Sequence, residues 1–252
     1  MQNAVINGNI KLDYAGSEAI NTICSNLMFS GVNVRKIVVT SCEPNDGKTF
    51  VAMQVAANMA RRGKKALLID ADLRMSVLNA QYDIQLQGSG AGLAHLLSGQ
   101  CTLEDALYET SQPNLFLIPA GTDVQSPLSL IDTPDFVRMT EAVGESFDLV
   151  VIDTPPIGMV IDAAEIARCC DGSILVLEYA KTHLKALQGA KQQMEKTGTP
   201  ILGCVLNKVA MDRLSTRKYY SYGGKYGYRK YGRYGNKSYY RRDRKENKAE
   251  NN

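Results

Sequence analysis

Residues 41–49 combine a lysine and a threonine in a way that suits phosphate binding. The triplet Gly47-Lys48-Thr49 follows a short β-branched run and precedes a stretch rich in helix-forming residues. Between a strand and a helix, such a triplet ends a phosphate-binding loop, because backbone N–H groups at the helix N-terminus face the phosphates. Lys48 is therefore predicted to bridge the β- and γ-phosphates of ATP, and Thr49 to give its hydroxyl to Mg²⁺. Cys42 replaces the usual first glycine, so the loop alone is an imperfect motif.

Three aspartates stand at the ends of apolar runs elsewhere in the chain. Asp70 and Asp72 follow the run 66–69, and Asp153 follows the run 149–152. The carboxyl ends of strands line the ligand crevice of an open parallel sheet, and carboxylates there can hold Mg²⁺ directly or through water. The alternative is that each aspartate caps a following helix or turn. Three such residues together with a lysine loop favour a site for ATP and Mg²⁺.

Two further residues extend the predicted nucleotide site. Arg74 lies two residues after Asp72, where it is equally suited to contact phosphate or to form a structural ion pair with a carboxylate. Asn207 ends the last apolar run, and its amide is a candidate for reading a purine base. The predicted nucleotide-binding residues are Pro44, Asn45, Asp46, Gly47, Lys48, Thr49, Phe50, Arg74 and Asn207.

The composition changes abruptly toward the C-terminus. Residues 211–252 carry 13 Lys and Arg against 4 Asp and Glu, whereas the whole chain has a net charge of only +3. Residues 219–240 are low-complexity and tyrosine-rich and contain no aliphatic residue to seed a core, which predicts a disordered tail over 211–252. Nine of the 13 tyrosines of the chain lie there: Tyr219, Tyr220, Tyr222, Tyr226, Tyr228, Tyr231, Tyr234, Tyr239 and Tyr240.

The remainder of the chain reads as one domain. Apolar strand-like runs alternate with helical stretches across residues 17–210, which is typical of a parallel sheet. We therefore predict an α/β fold of the P-loop NTPase type, a mostly parallel β-sheet covered by helices on both faces. Residues 1–16 are polar and rich in Asn and Gly, so an irregular N-terminal arm is expected. No run approaches the roughly 20 apolar residues of a membrane span, which predicts a cytoplasmic protein.

The combination of motifs resembles the bacterial tyrosine kinases that control capsule and exopolysaccharide synthesis. The loop end 44–49 is similar to the family's Pro-x-x-Gly-Lys-Ser/Thr motif. Residues 67–74 resemble its apolar triplet followed by Asp-x-Asp-x-Arg, and residues 150–156 its apolar triplet followed by Asp-x-Pro-Pro. The family also ends in a tyrosine cluster, as residues 219–240 do here. The resemblance extends from about residue 17 to the end of the chain.

The resemblance implies a role for each matching residue. Thr49, Asp70 and Asp153 are expected to organise Mg²⁺, and Asp72 to act as general base for an incoming tyrosine hydroxyl. The catalytic residues are then Lys48, Asp70, Asp72 and Asp153. The tail tyrosines are expected to be autophosphorylated, in trans, by a non-specific protein-tyrosine kinase.

The resemblance also implies partners. They are a membrane activator of the polysaccharide chain-length regulator type, a cognate tyrosine phosphatase and substrates from sugar metabolism, with self-association and without nucleic acid. Recruitment to the inner face of the cell membrane would go through the activator. The first helical stretch departs from the family, because Glu18 is not followed by the two arginines of its ring-assembly motif. The oligomeric state is therefore left open.

Two other functions compete with the kinase. A P-loop ATPase switch of the partitioning or septum-positioning type shares the expected sheet, but its loop carries a signature lysine where this chain has Glu43. A nucleic-acid binder would use the Tyr, Arg and Gly residues of the tail, since aromatic rings stack on bases and arginines neutralise phosphates. The two aspartate motifs favour the kinase over both.

Overall fold

The chain builds one sheet flanked by helices. The computed structural model describes residues 2–8, 12–30, 34–122 and 124–209. The strands are β1 (Gln2–Ile6), β2 (Lys36–Ser41), β3 (Ala66–Asp70), β4 (Ile84–Gln87), β5 (Tyr108–Thr110), β6 (Leu115–Ile118), β7 (Leu149–Asp153), β8 (Gly172–Glu178) and β9 (Ile201–Asn207). The helices are α1 (Tyr14–Phe29), α2 (Lys48–Arg61), α3 (Leu78–Tyr82), α4 (Leu93–Leu97), α5 (Leu103–Ala106), α6 (Pro127–Ile131), α7 (Pro134–Ser146), α8 (Asp162–Ala167) and α9 (Leu184–Glu195).

The sheet is parallel through its centre and mixed at one edge. Its strand order is β4-β1-β5-β6-β3-β7-β2-β8-β9. From β6 to β9 every neighbouring pair is parallel, whereas β4 runs antiparallel to β1 and β5 antiparallel to β6. Parallel neighbours need crossover connections, and here helices supply them. The carboxyl ends of β2, β3 and β7 therefore meet at one edge of the sheet.

Two hydrophobic cores lie on opposite faces of this sheet. Successive side chains of a strand point to opposite faces, so Leu67 and Ile69 join one core and Leu68 joins the other. Residues of α4–α9 complete the first core, and residues of α1–α3 complete the second. The predicted α/β fold, with a mostly parallel sheet covered on both faces, is confirmed.

The expectation of an irregular arm over residues 1–16 is wrong. Residues 2–6 form β1, which pairs with β4 on one side and β5 on the other, and Ala4 is only 1% exposed. Five residues that begin with Gln2 and Asn3 are too short a pattern to reveal a strand, and the ladder partners lie more than 75 residues further along the chain. Residues 14–16 of the predicted arm belong to α1, which begins at Tyr14, and residues 1 and 9–11 lie outside the described residues.

Other differences from the predicted elements have local causes. Asp13 caps α1 by accepting a hydrogen bond from the backbone N–H of Gly16 at 2.7 Å. The helix therefore begins at Tyr14, inside the predicted arm. The short elements β4, β5, α3 and α6 were not predicted, since three to five residues carry too little periodicity. The tail predicted to be disordered, 211–252, lies outside the described residues. Within the described ranges, no helix is long and apolar enough to cross a membrane.

The first core offers a test of the described packing. Phe136 of α7 is 1% exposed, whereas its neighbour Val137 is 41% exposed. Phe136→Ala is expected to lower the free energy of unfolding by about 3–5 kcal/mol, because it removes buried area and leaves a cavity. Val137→Ala serves as control and is expected to cost about 1 kcal/mol or less. Urea denaturation measures both; equal losses would contradict the placement of α7.

Candidate active site

The phosphate loop leaves β2 and enters α2 through a left-handed residue. Gly47 has φ 94°, a region that favours glycine, and it directly precedes Lys48 at the first turn of α2. The side-chain amide of Asn207 donates to the carbonyl oxygen of Asp46 at 2.9 Å. A Cβ atom on Gly47 would lie 2.1 Å from that amide nitrogen. The end of β9 therefore holds the loop in place, and only glycine fits beneath it.

A second set of contacts binds the loop to the segment after β7. The Thr40 hydroxyl donates to the carbonyl oxygen of Pro155 at 2.8 Å and accepts from the Ile157 N–H at 3.1 Å. On the far side of this junction, a Cβ atom on Gly158 would lie 2.1 Å from the carbonyl oxygen of Cys42. The Asp-Thr-Pro-Pro segment thus packs directly against the phosphate loop, so two motifs separated by about a hundred residues of sequence form one structure.

Asp70 and Asp153 are neighbours because the register of β3 and β7 pairs them. Both are 1% exposed. Asp70 accepts hydrogen bonds from the N–H of Asp72 at 3.1 Å and from the hydroxyl of Ser76 at 2.5 Å. The two carboxylate oxygens of Asp153 are buried and have no hydrogen-bond partner among the described residues. Asp70 is thus held by the protein, whereas Asp153 has acceptor capacity to spare.

Burial raises the pKa of both strand-end carboxyls. The pKa of Asp70 rises to about 7, mainly through loss of water and then through the charge of Asp153. The pKa of Asp153 rises to about 6, again through burial, and the positive charge of Lys48 limits the rise. A divalent cation would reverse both shifts, because it favours the ionised form. Binding of a metal ion is therefore expected to displace protons from the carboxyl groups of Asp70 and Asp153.

Lys48 forms an ion pair with Asp72. Its Nζ lies 2.9 Å from Asp72 Oδ2, and the two side chains are 11% and 7% exposed. Burial acts to lower the pKa of Lys48, but the charges of Asp153 and Asp72 outweigh it, so the pKa is raised and the lysine stays protonated. Asp72 also accepts from the N–H of Met75 at 3.0 Å. A phosphate that binds Lys48 must therefore compete with Asp72 for the same ammonium group.

Arg74 has a carboxylate partner of its own. Its Nε and Nη2 donate to the two oxygens of Asp162 at 2.7 and 2.9 Å, and the Asp162 side chain is fully buried. Of the two roles left open for Arg74, the structural ion pair is present. The pair joins the segment after β3 to the start of α8, and so fixes the wall of the site beside both aspartate motifs.

The remaining predicted loop residues differ in exposure. Asp46 is fully buried, and one of its oxygens accepts from the N–H of Glu43 at 3.0 Å. Burial raises its pKa. Asn45 has φ 65°, Pro44 precedes it in the same turn, and Phe50 of α2 packs partly buried against the second core. The loop is therefore shaped by its backbone, while Phe50 stabilises the helix rather than the turn.

Sequence reasoning missed two positioning residues. Ser76 holds Asp70, and Asp162 holds Arg74. Ser76 follows the Asp-x-Asp-x-Arg motif closely enough to have been considered, whereas Asp162 is 88 residues from its partner and carries no local signal. The predicted acceptor tyrosines, 219–240, lie outside the described residues.

The donor set fits Mg²⁺. That ion usually keeps several waters and takes one or two carboxylates together with substrate phosphates. Asp153 supplies two buried oxygens without hydrogen-bond partners, and the Thr49 hydroxyl lies 3.4 Å from Lys48 Nζ in the same corner. No cluster of three or more His, Cys, Asp or Glu side chains that could hold a metal ion occurs in the described part of the chain. One or two carboxylates and a hydroxyl suit a Mg²⁺ ion that arrives with a nucleotide and takes its remaining ligands from phosphate and water.

The raised pKa of Asp153 predicts a pH-dependent stability. A carboxyl with a raised pKa holds its proton more tightly in the folded chain, so its contribution to stability falls as the pH rises through about 6. Without nucleotide or metal, Asp153→Asn is expected to raise the free energy of unfolding at pH 8 by on the order of 1–3 kcal/mol. The gain should vanish near pH 4. Urea denaturation at both pH values measures it.

A matched control separates this effect from general charge removal. Asp132 is exposed, and Asp132→Asn is expected to change the free energy of unfolding little at either pH. A gain for Asp153→Asn that is larger at pH 4 than at pH 8 would contradict the proposed cost of the buried charge.

Comparison with known proteins places these features in context. A family model described as an AAA domain matches residues 34–200. Tyrosine-protein kinase CpsD from Streptococcus pneumoniae is 40% identical over 212 residues, which cover 83% of this chain and 91% of that protein. The CpsD kinase from Streptococcus agalactiae is 36% identical over 219 residues, covering 87% and 95%.

The chain is also similar to solved structures. The kinase domain of Escherichia coli tyrosine kinase ETK superposes with a TM-score of 0.74 at 28% identity, covering 84% of this chain and 80% of that chain. The chimerical protein CapA2B2 reaches 0.72 at 28% identity, covering 76% and 84%. The septum site-determining protein MinD from Pyrococcus horikoshii, complexed with Mg-ADP, reaches 0.59 at 26% identity, covering 68% and 69%. The septum protein is thus the more distant of these three.

Proposed function

The chain belongs to the bacterial tyrosine kinases of Gram-positive capsule synthesis, and we propose that it moves the γ-phosphoryl group of Mg-ATP to tyrosine hydroxyls of its own C-terminal tail and of partner proteins. The observation that carries this proposal is the 2.9 Å contact between Lys48 and Asp72. It places the ammonium group of Lys48, the predicted phosphate ligand, next to the carboxylate of Asp72, the candidate base. In reaction terms the activity is that of a non-specific protein-tyrosine kinase.

Positioning and charge compensation account for the proposed chemistry. Lys48 would bind the β- and γ-phosphates above the N–H groups of α2, where the helix dipole adds positive charge. Thr49, Asp70 and Asp153 would hold Mg²⁺, which neutralises the phosphate oxygens when it is bound. The neighbouring Asn207 amide, anchored on Asp46, limits where the nucleotide can lie. These groups leave the γ-phosphate at the open carboxyl edge of the sheet.

Asp72 is the proposed general base. When phosphate binds Lys48, the ion pair between the lysine and Asp72 weakens, and Asp72 becomes free to accept a proton. The tyrosine oxygen then attacks the γ-phosphorus, the bond to the β-phosphate oxygen breaks, and ADP leaves while the phenol proton passes to Asp72. A tyrosine hydroxyl has a pKa near 10, so a carboxylate within about 3 Å is needed to remove that proton as the bond forms.

The tyrosines of residues 219–240 are the proposed acceptors. Each phosphate adds about −1.5 to −2 charges, so about five modifications would cancel the basic excess of residues 211–252. We infer that phosphorylation occurs in trans and reduces association between copies. Tyr219 follows Asn207 by 12 residues, and such a stretch spans up to about 40 Å when extended. A neighbouring active site therefore lies within range.

Recruitment to the membrane is a further part of the proposal. A membrane activator of the polysaccharide chain-length regulator type would bring the kinase to the inner face of the cell membrane. A cognate phosphatase and substrates from sugar metabolism complete the proposed partners, and nucleic acid is not among them.

The ATPase switch is the second candidate, and one observation favours it. MinD from Pyrococcus horikoshii, complexed with Mg-ADP, shares the fold at a TM-score of 0.59. Against it, the loop lysine expected of such switches is replaced here by Glu43, a partly exposed acidic residue. Phosphate release without phosphotyrosine would favour the switch over the kinase.

Lys48 gives the most direct test of the kinase. Lys48→Met is expected to abolish phosphotyrosine in residues 219–240, because the γ-phosphate loses its cation. Purified chain is incubated with Mg-ATP and the cytoplasmic segment of the activator, and modified residues are mapped by mass spectrometry. Lys196→Met is the control, since Lys196 is exposed at the C-terminal end of α9 and is not among the predicted site residues. Chelation of Mg²⁺ should have the same effect as Lys48→Met; phosphotyrosine that survives both treatments contradicts the assignment.

Asp72 allows base catalysis to be separated from binding. Asp72→Asn is expected to lower kcat by about 10²–10⁴-fold, because a general base is lost. Nucleotide affinity should stay constant or improve, since Lys48 no longer has a competing carboxylate. Single-turnover kinetics and nucleotide titration measure the two effects. A fall in affinity that matches the fall in kcat would show that Asp72 acts in binding and is not the base.

A further inference from the structure

Exposed apolar side chains gather in the segments that follow the two aspartate motifs. Met75 and Val77 lie in the segment after β3, and Met159 and Ile161 lie in the segment after β7; all four are exposed, Met75 and Met159 to 76% and 67%. β3 and β7 are neighbours in the sheet, so both segments leave the same acidic edge. A single exposed apolar residue is ordinary on a protein surface, whereas a group of them beside a reactive site indicates a binding surface. We call these four residues the apolar rim.

The ion pair of Arg74 with Asp162 joins the two halves of the rim. Nε of Arg74 donates to Oδ2 of Asp162 at 2.7 Å, and that carboxylate is buried. Met75 directly follows one partner, and Ile161 directly precedes the other. The two segments therefore approach each other within the length of one arginine side chain, and the rim forms one surface.

Met75 is held directly against the candidate base. Its backbone N–H donates to Asp72 Oδ1 at 3.0 Å, while Asp72 Oδ2 lies 2.9 Å from Lys48 Nζ. Met75 is nevertheless largely exposed, so its side chain extends into solvent from a backbone that contacts the carboxylate. A phenol that gives its proton to Asp72 therefore brings its ring close to Met75.

Met159 lies beside the phosphate loop. Its N–H donates to the carbonyl oxygen of Pro156 at 3.0 Å, which closes a tight turn. A Cβ atom on the preceding residue, Gly158, would lie 2.1 Å from the carbonyl oxygen of Cys42, so this turn packs directly on the loop. The two methionines thus border the acidic edge at two points, one next to the candidate base and one next to the loop predicted to hold the phosphates.

Two properties of this surface suit a tyrosine in a basic peptide. Methionine is flexible, and its sulfur makes favourable contacts with aromatic rings at about 5 Å. At the acidic edge three buried aspartates share one lysine, so a cationic peptide is attracted there.

The sequence of residues 219–240 has the matching chemistry. It contains neither Asp nor Glu, and four of its tyrosines directly follow a lysine or an arginine: Tyr219, Tyr226, Tyr231 and Tyr234. A tyrosine from such a sequence brings positive charge and further aromatic rings with it.

We propose that the apolar rim binds the ring of the acceptor tyrosine and so selects tyrosines in basic, tyrosine-rich segments. Met75 and Met159 contact the ring itself, and Val77 and Ile161 contact aromatic side chains next to it in the peptide. This role rests on the proposed kinase function, since the ring must be delivered to Asp72. The rim takes no part in proton or phosphoryl transfer; it determines how strongly the acceptor binds.

Steady-state kinetics with a peptide acceptor tests the rim. The peptide has the sequence of residues 229–235, Arg-Lys-Tyr-Gly-Arg-Tyr-Gly, and is incubated with the full chain, Mg-ATP and the cytoplasmic segment of the activator. Met75→Gln is expected to raise KM for this peptide about three- to tenfold, because contact between the thioether and the ring is lost. kcat should change by less than about twofold, because a contact that is equally strong in the ground state and the transition state affects binding alone.

Two variants serve as controls. Met75→Leu keeps an apolar side chain of similar size and is expected to bring KM back to within about threefold of the unmodified chain. Met28→Gln makes the test substitution at the end of α1, where the residue is 51% exposed. The sulfur of Met28 lies 3.7 Å from Nη1 of Arg62, which caps the end of α2 remote from the phosphate loop, so this variant should leave KM unchanged.

An unreactive peptide separates the rim from the kinase. With Tyr231→Phe and Tyr234→Phe the peptide keeps both rings but has no hydroxyl to accept phosphate. Its dissociation constant from the full chain without ATP, measured by fluorescence anisotropy of a labelled peptide, should rise about three- to tenfold with Met75→Gln and stay constant with Met28→Gln. Replacing its lysine and arginines by glutamine should also weaken binding, and more so at low salt than at high salt.

The outcomes decide the proposal with or without kinase activity. An unchanged KM and an unchanged dissociation constant for Met75→Gln, with thermal unfolding showing a folded variant, overturn it. A fall in kcat at constant peptide affinity overturns it too, because Met75 would then act only by supporting Asp72. A loss of stimulation by the activator segment, or altered sedimentation, at constant peptide affinity would assign the rim to another partner and likewise overturn it. If no peptide is ever phosphorylated, the proposed kinase function fails, but weaker binding of the phenylalanine peptide to Met75→Gln still supports binding of the ring by the rim.

Discussion

The site depends on three buried carboxylates that share one lysine. Asp70, Asp72 and Asp153 are at most 5% exposed, and Lys48 is the cation among them. Carboxylates removed from water repel one another strongly at low dielectric, and a single ammonium group does not balance three of them. The protein meets this cost partly by protonation, as the raised pKa values of Asp70 and Asp153 indicate. Mg²⁺ would offset the repulsion between the carboxylates more fully than protons do, so this repulsion favours metal binding.

The sheet must hold these groups together against their repulsion. β3 and β7 bring Asp70 and Asp153 opposite each other through a ladder of apolar residues on both sides. The contacts of Thr40 with the segment after β7 fix the phosphate loop to the same frame. Packing on both faces therefore supplies the stability that the acidic edge lacks. In proteins generally, such local strain persists only where the surrounding structure compensates for it.

Sequence patterns predicted the central elements well and the connections poorly. β3 and β7 cover the predicted apolar runs 66–69 and 149–152 and the aspartate after each, because each run is bounded by charged residues. β1 was missed because its partners, β4 and β5, are distant in sequence. The positions of Asp70 and Asp153 at the ends of neighbouring strands were predicted from the two apolar runs, but the Asp162 partner of Arg74 was not, since a pair 88 residues apart leaves no local pattern. Strand pairs and ion pairs between residues far apart in the chain cannot be recognised from one sequence alone.

β9 connects the phosphate loop to the edge of the sheet. Its last residue, Asn207, donates from its side-chain amide to the carbonyl oxygen of Asp46 in the loop at 2.9 Å. The carbonyl oxygen of Asn207 accepts from the N–H of Tyr179 at 2.9 Å, so the residue is itself held by the segment after β8. A Cβ atom on Gly47 would lie 2.1 Å from the Asn207 amide nitrogen, so this arrangement requires glycine at the turn. The shape of the phosphate loop therefore depends on the pairing of β8 with β9 as well as on the turn itself.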